Sequence, residues 1–188
     1  FYYYSQGAQA VYGWGGENNL DMPFTPYHWG PSSWLGLGFS KYLDFPTFLL
    51  ANVIVDIEPF LVLTFRLNYP LHGYCHTFLV GSVIAVLVAL IMFKGKPLTQ
   101  RIMGLFRLRQ DIKMSGFFIA SIIGVWFHVI LDAPLYSDIQ PFYPIKDNPF
   151  YGLIESRTIY SFCAWSFLFG IVFYIIVVAI RSKTKREK

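Results

Sequence analysis

MSGFFIASIIGVWFHVILD, residues 114–132, is the stretch that decides how this chain folds. It is apolar almost throughout from Met114 to Leu131, and such a run approaches the ~20 residues a helix needs to cross a bilayer. His128 and Asp132 stand in it four positions apart, so on a helix they share one face. An ionisable group is costly in that setting and marks a functional site by default. Two further runs have the same apolar character, Thr77 to Phe93 and Thr158 to Ile180.

Composition points the same way. The 188 residues are 55% hydrophobic, 20% aromatic and only 14% charged, against roughly 25% charged in ordinary soluble domains. The expected fold is an all-α, polytopic membrane protein with about three full transmembrane helices. The net charge of +4 comes from two basic stretches and reads as membrane topology, which sets aside nucleic-acid binding. Cys75 and Cys163 form no CxxC pattern, so a thiolate metal site is not indicated.

The N-terminal part is built differently. Pro31 to Tyr42 is helix-like but too short to span at ~1.5 Å per residue. Leu43-Asp44-Phe45-Pro46 is a break, with Pro46 suited to open the next helix. That second segment, Pro46 to Glu58, is expected to end at Pro59, which a continuing helix tolerates poorly. The two form an expected re-entrant helical hairpin, tolerated where it packs against protein. The alternative is one full span from Pro46 to about Phe65. Residues 1–21, aromatic and Gly-rich, are expected to be a processed or foreign segment. Residues 22–181 would form a single membrane-embedded domain, and 182–188 a basic cytoplasmic tail.

Lys94, Lys96, Arg101, Arg107, Arg109 and Lys113 crowd one connection, and Arg181, Lys183, Lys185, Arg186 and Lys188 crowd the tail. The connection from Ala133 to Arg157 carries only Lys146 and Arg157. By the positive-inside rule the first two are cytoplasmic and the third lies outside. His72 and His76 in LHGYCHTF, and His128 and Asp132, then fall at the outer ends of neighbouring helices. His28 and the pair Asp56/Glu58 fall at the same level through the hairpin. The loop 133–156, rich in proline and aromatics, is positioned to wall or cover this cluster.

Imidazole and carboxylate together suit a divalent metal, Zn²⁺ foremost, with Mn²⁺ or Fe²⁺ also compatible. The expected ligands are His28, Asp56, His72, His76, His128 and Asp132, holding one ion or two. A first site would use Asp56, His72 or His76, His128 and Asp132; Asp132 would bridge to a second ion using His28 and the remaining histidine. Asp132 and Glu58 are the expected catalytic carboxylates. Glu58 lies about 200° round a helix from Asp56, so both ligate only if the helix ends between them. Otherwise Glu58 is a general base, a partner backing a histidine, or solvated.

These residues carry a resemblance. A His in a short N-terminal segment, D-I-E after an apolar run, HGYCHT, and HVILD followed by APLYSDIQPFYP together resemble the predicted membrane-bound metal-dependent hydrolases, including the LexA-regulated inner-membrane type. The resemblance spans about Met22 to Pro149, and that family looks distantly similar to zinc-dependent phospholipase C. It implies His28, Asp56, His72 or His76, His128 and Asp132 as ligands. It also implies a hydrolase; with the cluster at the outer end of the helices, the expected function is a phosphoesterase acting on a lipid or lipid-linked phosphate at the outer face of a plasma or inner membrane. The competing reading is a non-catalytic subunit of a larger membrane complex with a structural or vestigial metal. A proton relay would need ionisable groups continuing to the cytoplasmic side, and the last three spans lack them.

Overall fold

The computed structural model describes residues 26–186. The expectation for residues 1–21 lies outside the described residues. After a 3-10 turn at Pro26–His28 come α1 (Trp29–Gly38), α2 (Phe45–Ala51) and α3 (Ile57–Phe65). Then follow α4 (Phe78–Lys94), α5 (Lys96–Leu105), α6 (Met114–Asp132) and α7 (Ser156–Arg186). No strand occurs among the described residues. The architecture is all-α, as the apolar runs predict.

Three stretches are long and apolar enough to cross a membrane: Phe45–Phe65, Met114–Asp132 and Ser156–Lys183. A fourth arises if α4 and α5, bent by 73° at Gly95, count together. The expected span from Thr77 to Phe93 is α4, whose 17 residues reach only about 26 Å, short of a ~30 Å hydrocarbon core.

The second N-terminal segment does not stop at Pro59. Its α-helix ends earlier, at Ala51; a 3-10 turn at Ile54–Asp56 follows, and α3 resumes at Ile57 with Pro59 inside its first turn. There the missing proline N–H has no intrahelical partner to lose. Arg66 closes α3 in the left-handed conformation, φ 50°.

Close contacts between helices fall on small residues, the means by which helices pack in lipid. α1 and α7 form the most extensive pair. A Cβ at Gly30 would collide with the Cys163 carbonyl, and one at Gly170 with Ser33 Oγ. A Cβ at Gly124 of α6 would lie 2.8 Å from Ala51 Cβ and 2.9 Å from the Phe48 carbonyl, and one at Gly81 of α4 2.7 Å from Val125. Ala51, Val55, Ala85, Val88 and Val125 form the buried core between α2, α4 and α6.

α1 and α2 fold back on each other through residues 39–44. Asp44 caps α2, accepting from Thr47 N (3.1 Å) and Thr47 Oγ1 (2.6 Å). The corner is fastened to the basic connection: Gln100 Nε2 donates to Asp44 Oδ2 (3.2 Å), and Gln110 Nε2 donates to the carbonyls of Ser40 (2.6 Å) and Leu43 (2.9 Å). From there α2 runs in step with α6. Asp44 N donates to the Gly116 carbonyl (3.3 Å) at their start, and Asp56 faces His128 at their far end. His28, at the head of α1, returns to that same far end.

Candidate metal centre

Asp56, His76, His128 and Asp132 converge so that one ligand atom from each lies within 4.8 Å of all the others. Relative exposures of 2% for Asp56, 0% for both histidines and 4% for Asp132 put the group in the interior. It sits at the end of the bundle away from the Lys94–Lys113 connection. α6 supplies His128 and Asp132 from consecutive turns of one face. Asp56 ends the 3-10 turn that interrupts the second segment. His76 ends a 3-10 turn at Tyr74–His76, and Thr77 Oγ1 accepts from Val80 N (3.1 Å) to open α4 after it.

His72 and His76 are therefore not helical neighbours, contrary to the reading of their spacing. Thr77 caps a helix that begins only at Phe78. Gly73, with φ −90° and ψ −133°, lies where any Cβ would strike the Tyr69 ring. The rings of His72 and His76 still meet edge to face, 4.8 Å between centroids. Among the described residues His72 is outside the group of four.

The contacts around the rings suit one arrangement of protons. His76 Nδ1 lies 3.1 Å from Glu58 Oε2, so it carries the proton and Nε2 is bare. His28 Nε2 lies 3.1 Å from Asp132 Oδ1 and carries the proton there. Its bare Nδ1 then accepts from His128 Nδ1 at 2.9 Å. When each ring carries a single proton, as metal binding requires, His128 Nε2 is bare as well. In that state the centre gathers two lone-pair nitrogens and two carboxylate oxygens. In that protonation state the group is able to hold a cation.

The spacings fit a metal. His128 Nε2 is 3.1 Å from Asp132 Oδ2, 3.2 Å from Asp56 Oδ1 and 3.4 Å from His76 Nε2; His76 Nε2 is 3.7 Å from Asp56 Oδ1. Zn bonds of ~2.0–2.1 Å in a tetrahedron put ligand atoms ~3.3 Å apart. The remaining candidates stand behind these four. Glu58 backs His76 from the far side of its ring and also accepts from Cys75 N (3.1 Å). His28 backs both His128 and Asp132. Such carboxylate–histidine and histidine–histidine contacts fix the ring and raise its basicity.

His72 has its own carboxylate, which the sequence did not disclose. Asp138 accepts from His72 Nδ1 (3.0 Å) and from His72 N (3.0 Å). Burial pushes the Asp138 carboxyl up, and the bonds from His72 outweigh it, holding the group below its ordinary value. Asp138 belongs to the proline-rich loop, which closes over this end of the bundle. Tyr136 stacks on His72 at 4.1 Å, Tyr143 meets Tyr74 at 4.9 Å and Phe142 meets Phe78 at 5.4 Å. Asn148 pins the loop through the carbonyls of Ala133 (2.8 Å) and Tyr136 (3.1 Å). Cys75 stays a thiol: burial, with the Glu58 carboxylate beside it, pushes it up to about 12.

No family model, curated protein or solved structure matches this chain. What the geometry supplies is a buried two-Asp, two-His group able to hold a metal ion, with its rings oriented by Glu58 and His28.

Proposed function

We propose that this protein is an integral membrane, metal-dependent hydrolase. Its reaction would be hydrolysis of a phosphoester in a lipid or lipid-linked substrate, taken from the outer leaflet. The observation carrying the reading is the convergence of four acceptors from three parts of the chain, with each histidine's second nitrogen already bonded. A divalent ion held there supplies charge to stabilise a phosphoryl oxygen and lowers the pKa of water. Asp56, His76, His128 and Asp132 would hold it. Glu58 and His28 keep the imidazoles in the binding tautomer, and His72, oriented by Asp138, stands next to the group to contact substrate. The loop over this end, with its tyrosines and phenylalanines, suits the headgroup region, where an amphiphile arrives without leaving the bilayer. The resemblance of HGYCHT and HVILD to membrane-bound hydrolases supports the same chemistry, and the N-terminal hairpin is read as re-entrant, with its turn at the cytoplasmic side.

A second reading has its own observation. All four candidate ligands are buried, and closed four-ligand sites are the structural kind, whereas catalytic sites keep a position open. The protein would then be a non-catalytic subunit with a structural metal. Protein purified with its metal, stripped by a chelator and reloaded with Zn²⁺, Mn²⁺ or Fe²⁺, separates the two. The hydrolase should lose activity on phosphodiester or lipid phosphate when stripped and regain it on reloading. Fully loaded protein inert on phosphodiesters and phosphomonoesters, yet unfolding when stripped, would overturn the enzyme in favour of the subunit.

A further inference from the structure

At the other end of the bundle an apolar slot of about 410 Å³ opens between α1, α7 and the end of α5. Leu37, Met103, Phe106, Leu108, Ile171 and Tyr174 line it. Its size falls within the ~300–1,000 Å³ of ligand sites. One end of the slot is strongly basic. Tyr174, a wall of the slot, donates its hydroxyl to the Phe106 carbonyl (3.2 Å). Further along α7, Arg181 Nη1 donates to the carbonyls of Arg109 (2.9 Å) and Arg107 (3.5 Å). The Arg181 guanidinium is thereby held against the backbone of Arg107 and Arg109, the two arginines that flank Leu108, while Arg109 Nε donates to the Gln100 carbonyl (3.4 Å). Among the described residues none of the three pairs with a carboxylate; the nearby Asp111 is bonded to Lys96 instead (2.9 Å). Three arginines from adjoining stretches of backbone, none with a carboxylate partner among the described residues, beside an apolar slot, suit an anion that carries an alkyl chain.

We propose that this slot binds an anionic phospholipid, one acyl chain lying between α1 and α7 and the headgroup phosphate on Arg107, Arg109 and Arg181. Guanidinium groups match phosphate with paired hydrogen bonds. Basic pockets between membrane helices on the cytoplasmic side recognise acidic headgroups, and each basic residue contributes about fivefold in affinity. The site is separate from the metal centre, so it stands or falls independently of hydrolysis.

Full-length protein in a neutral detergent, examined by native mass spectrometry with palmitoyl-oleoyl phosphatidylglycerol or with phosphatidylcholine of the same chains, tests it. Phosphatidylglycerol should be retained roughly 100-fold better. The double variant Arg107→Gln/Arg109→Gln, whose side chains are exposed and leave the core intact, should reduce that preference by roughly 30-fold. Ile171→Trp, which fills the slot and keeps the charges, should weaken phosphatidylglycerol while leaving the weak binding of inorganic phosphate unchanged. Equal retention of the two lipids, or a preference untouched by the arginine variants, overturns the proposal. So does displacement of the lipid by inorganic phosphate at equal concentration, which would leave an anion site without a chain. A dimer whose formation excludes the lipid would assign the slot to a second copy of this chain.

Discussion

His76 is held between Glu58 at Nδ1 and Asp56 at Nε2, and only the second is placed to share an ion with it. The two sides should therefore respond differently to substitution. His76→Ala removes a ligand and is expected to abolish most bound metal. Glu58→Gln leaves the ligands in place but takes away the charge behind the ring, and should lower metal affinity 10–100-fold, read by competition with a chromogenic chelator. Cys75→Ser should change neither, because its thiol is protonated at neutral pH. An unaltered affinity in Glu58→Gln would remove that residue from the centre. His72→Phe makes a sharper contrast: metal content should stay at the wild-type level while activity falls, and loss of the metal would place His72 among the ligands. Binding should also weaken as the pH drops through the ~6.5 reference value of imidazole, since protons then take the lone pairs a metal needs. Most of these residues are legible in the sequence because ionisable groups stand out against apolar runs. The roles are less so: spacing four apart cannot say that His72 turns away to Asp138, a carboxylate lying 66 residues on in a loop without periodicity.

α6 is the element on which the centre depends, since Gly116, Ala120, Gly124, His128 and Asp132 recur every fourth residue along its buried face. The small residues let α2 lie close, and that approach is what carries Asp56 to His128. Gly124→Ala is expected to destabilise the fold by about 1–3 kcal/mol through overpacking and to lower metal affinity with it, although position 124 touches no ligand atom. Thermal unfolding and metal titration on the same preparation check this; intact affinity would show that helix spacing and ligand geometry are independent. The apolar run and the His128/Asp132 pair of this helix can be read directly from residues 114–132. The boundaries elsewhere cannot. Pro59 looks like a terminator until the chain is seen to restart at Ile57, three residues short of where proline would cost a hydrogen bond. His72 and His76 look helical until Thr77 takes the cap. In each case a local signal had two uses, and tertiary packing selected between them.

At the scale of the molecule, the two basic clusters, 94–113 and 181–188 in the sequence, and the candidate ligands belong to opposite ends of the membrane helices. If the basic end is cytoplasmic, a cysteine at the exposed Ser137 should react with an impermeant thiol reagent on intact cells. One at the exposed Lys183 should not, in a background without Cys75 and Cys163. The reverse pattern would move the substrate to the cytoplasmic leaflet. The long separation between parts of the centre also governs how the protein is made. His28 and His128 are 100 residues apart in the chain yet bonded to each other. At the ribosome's ~5–20 residues per second, the first waits roughly 5–20 s for the second. During that interval the N-terminal hairpin, with His28, Asp44 and Asp56, lacks α6 and the partners it carries. Biogenesis of this protein therefore includes a waiting state, in which half of the buried Asp/His group must be kept hydrated or shielded until the other half is inserted.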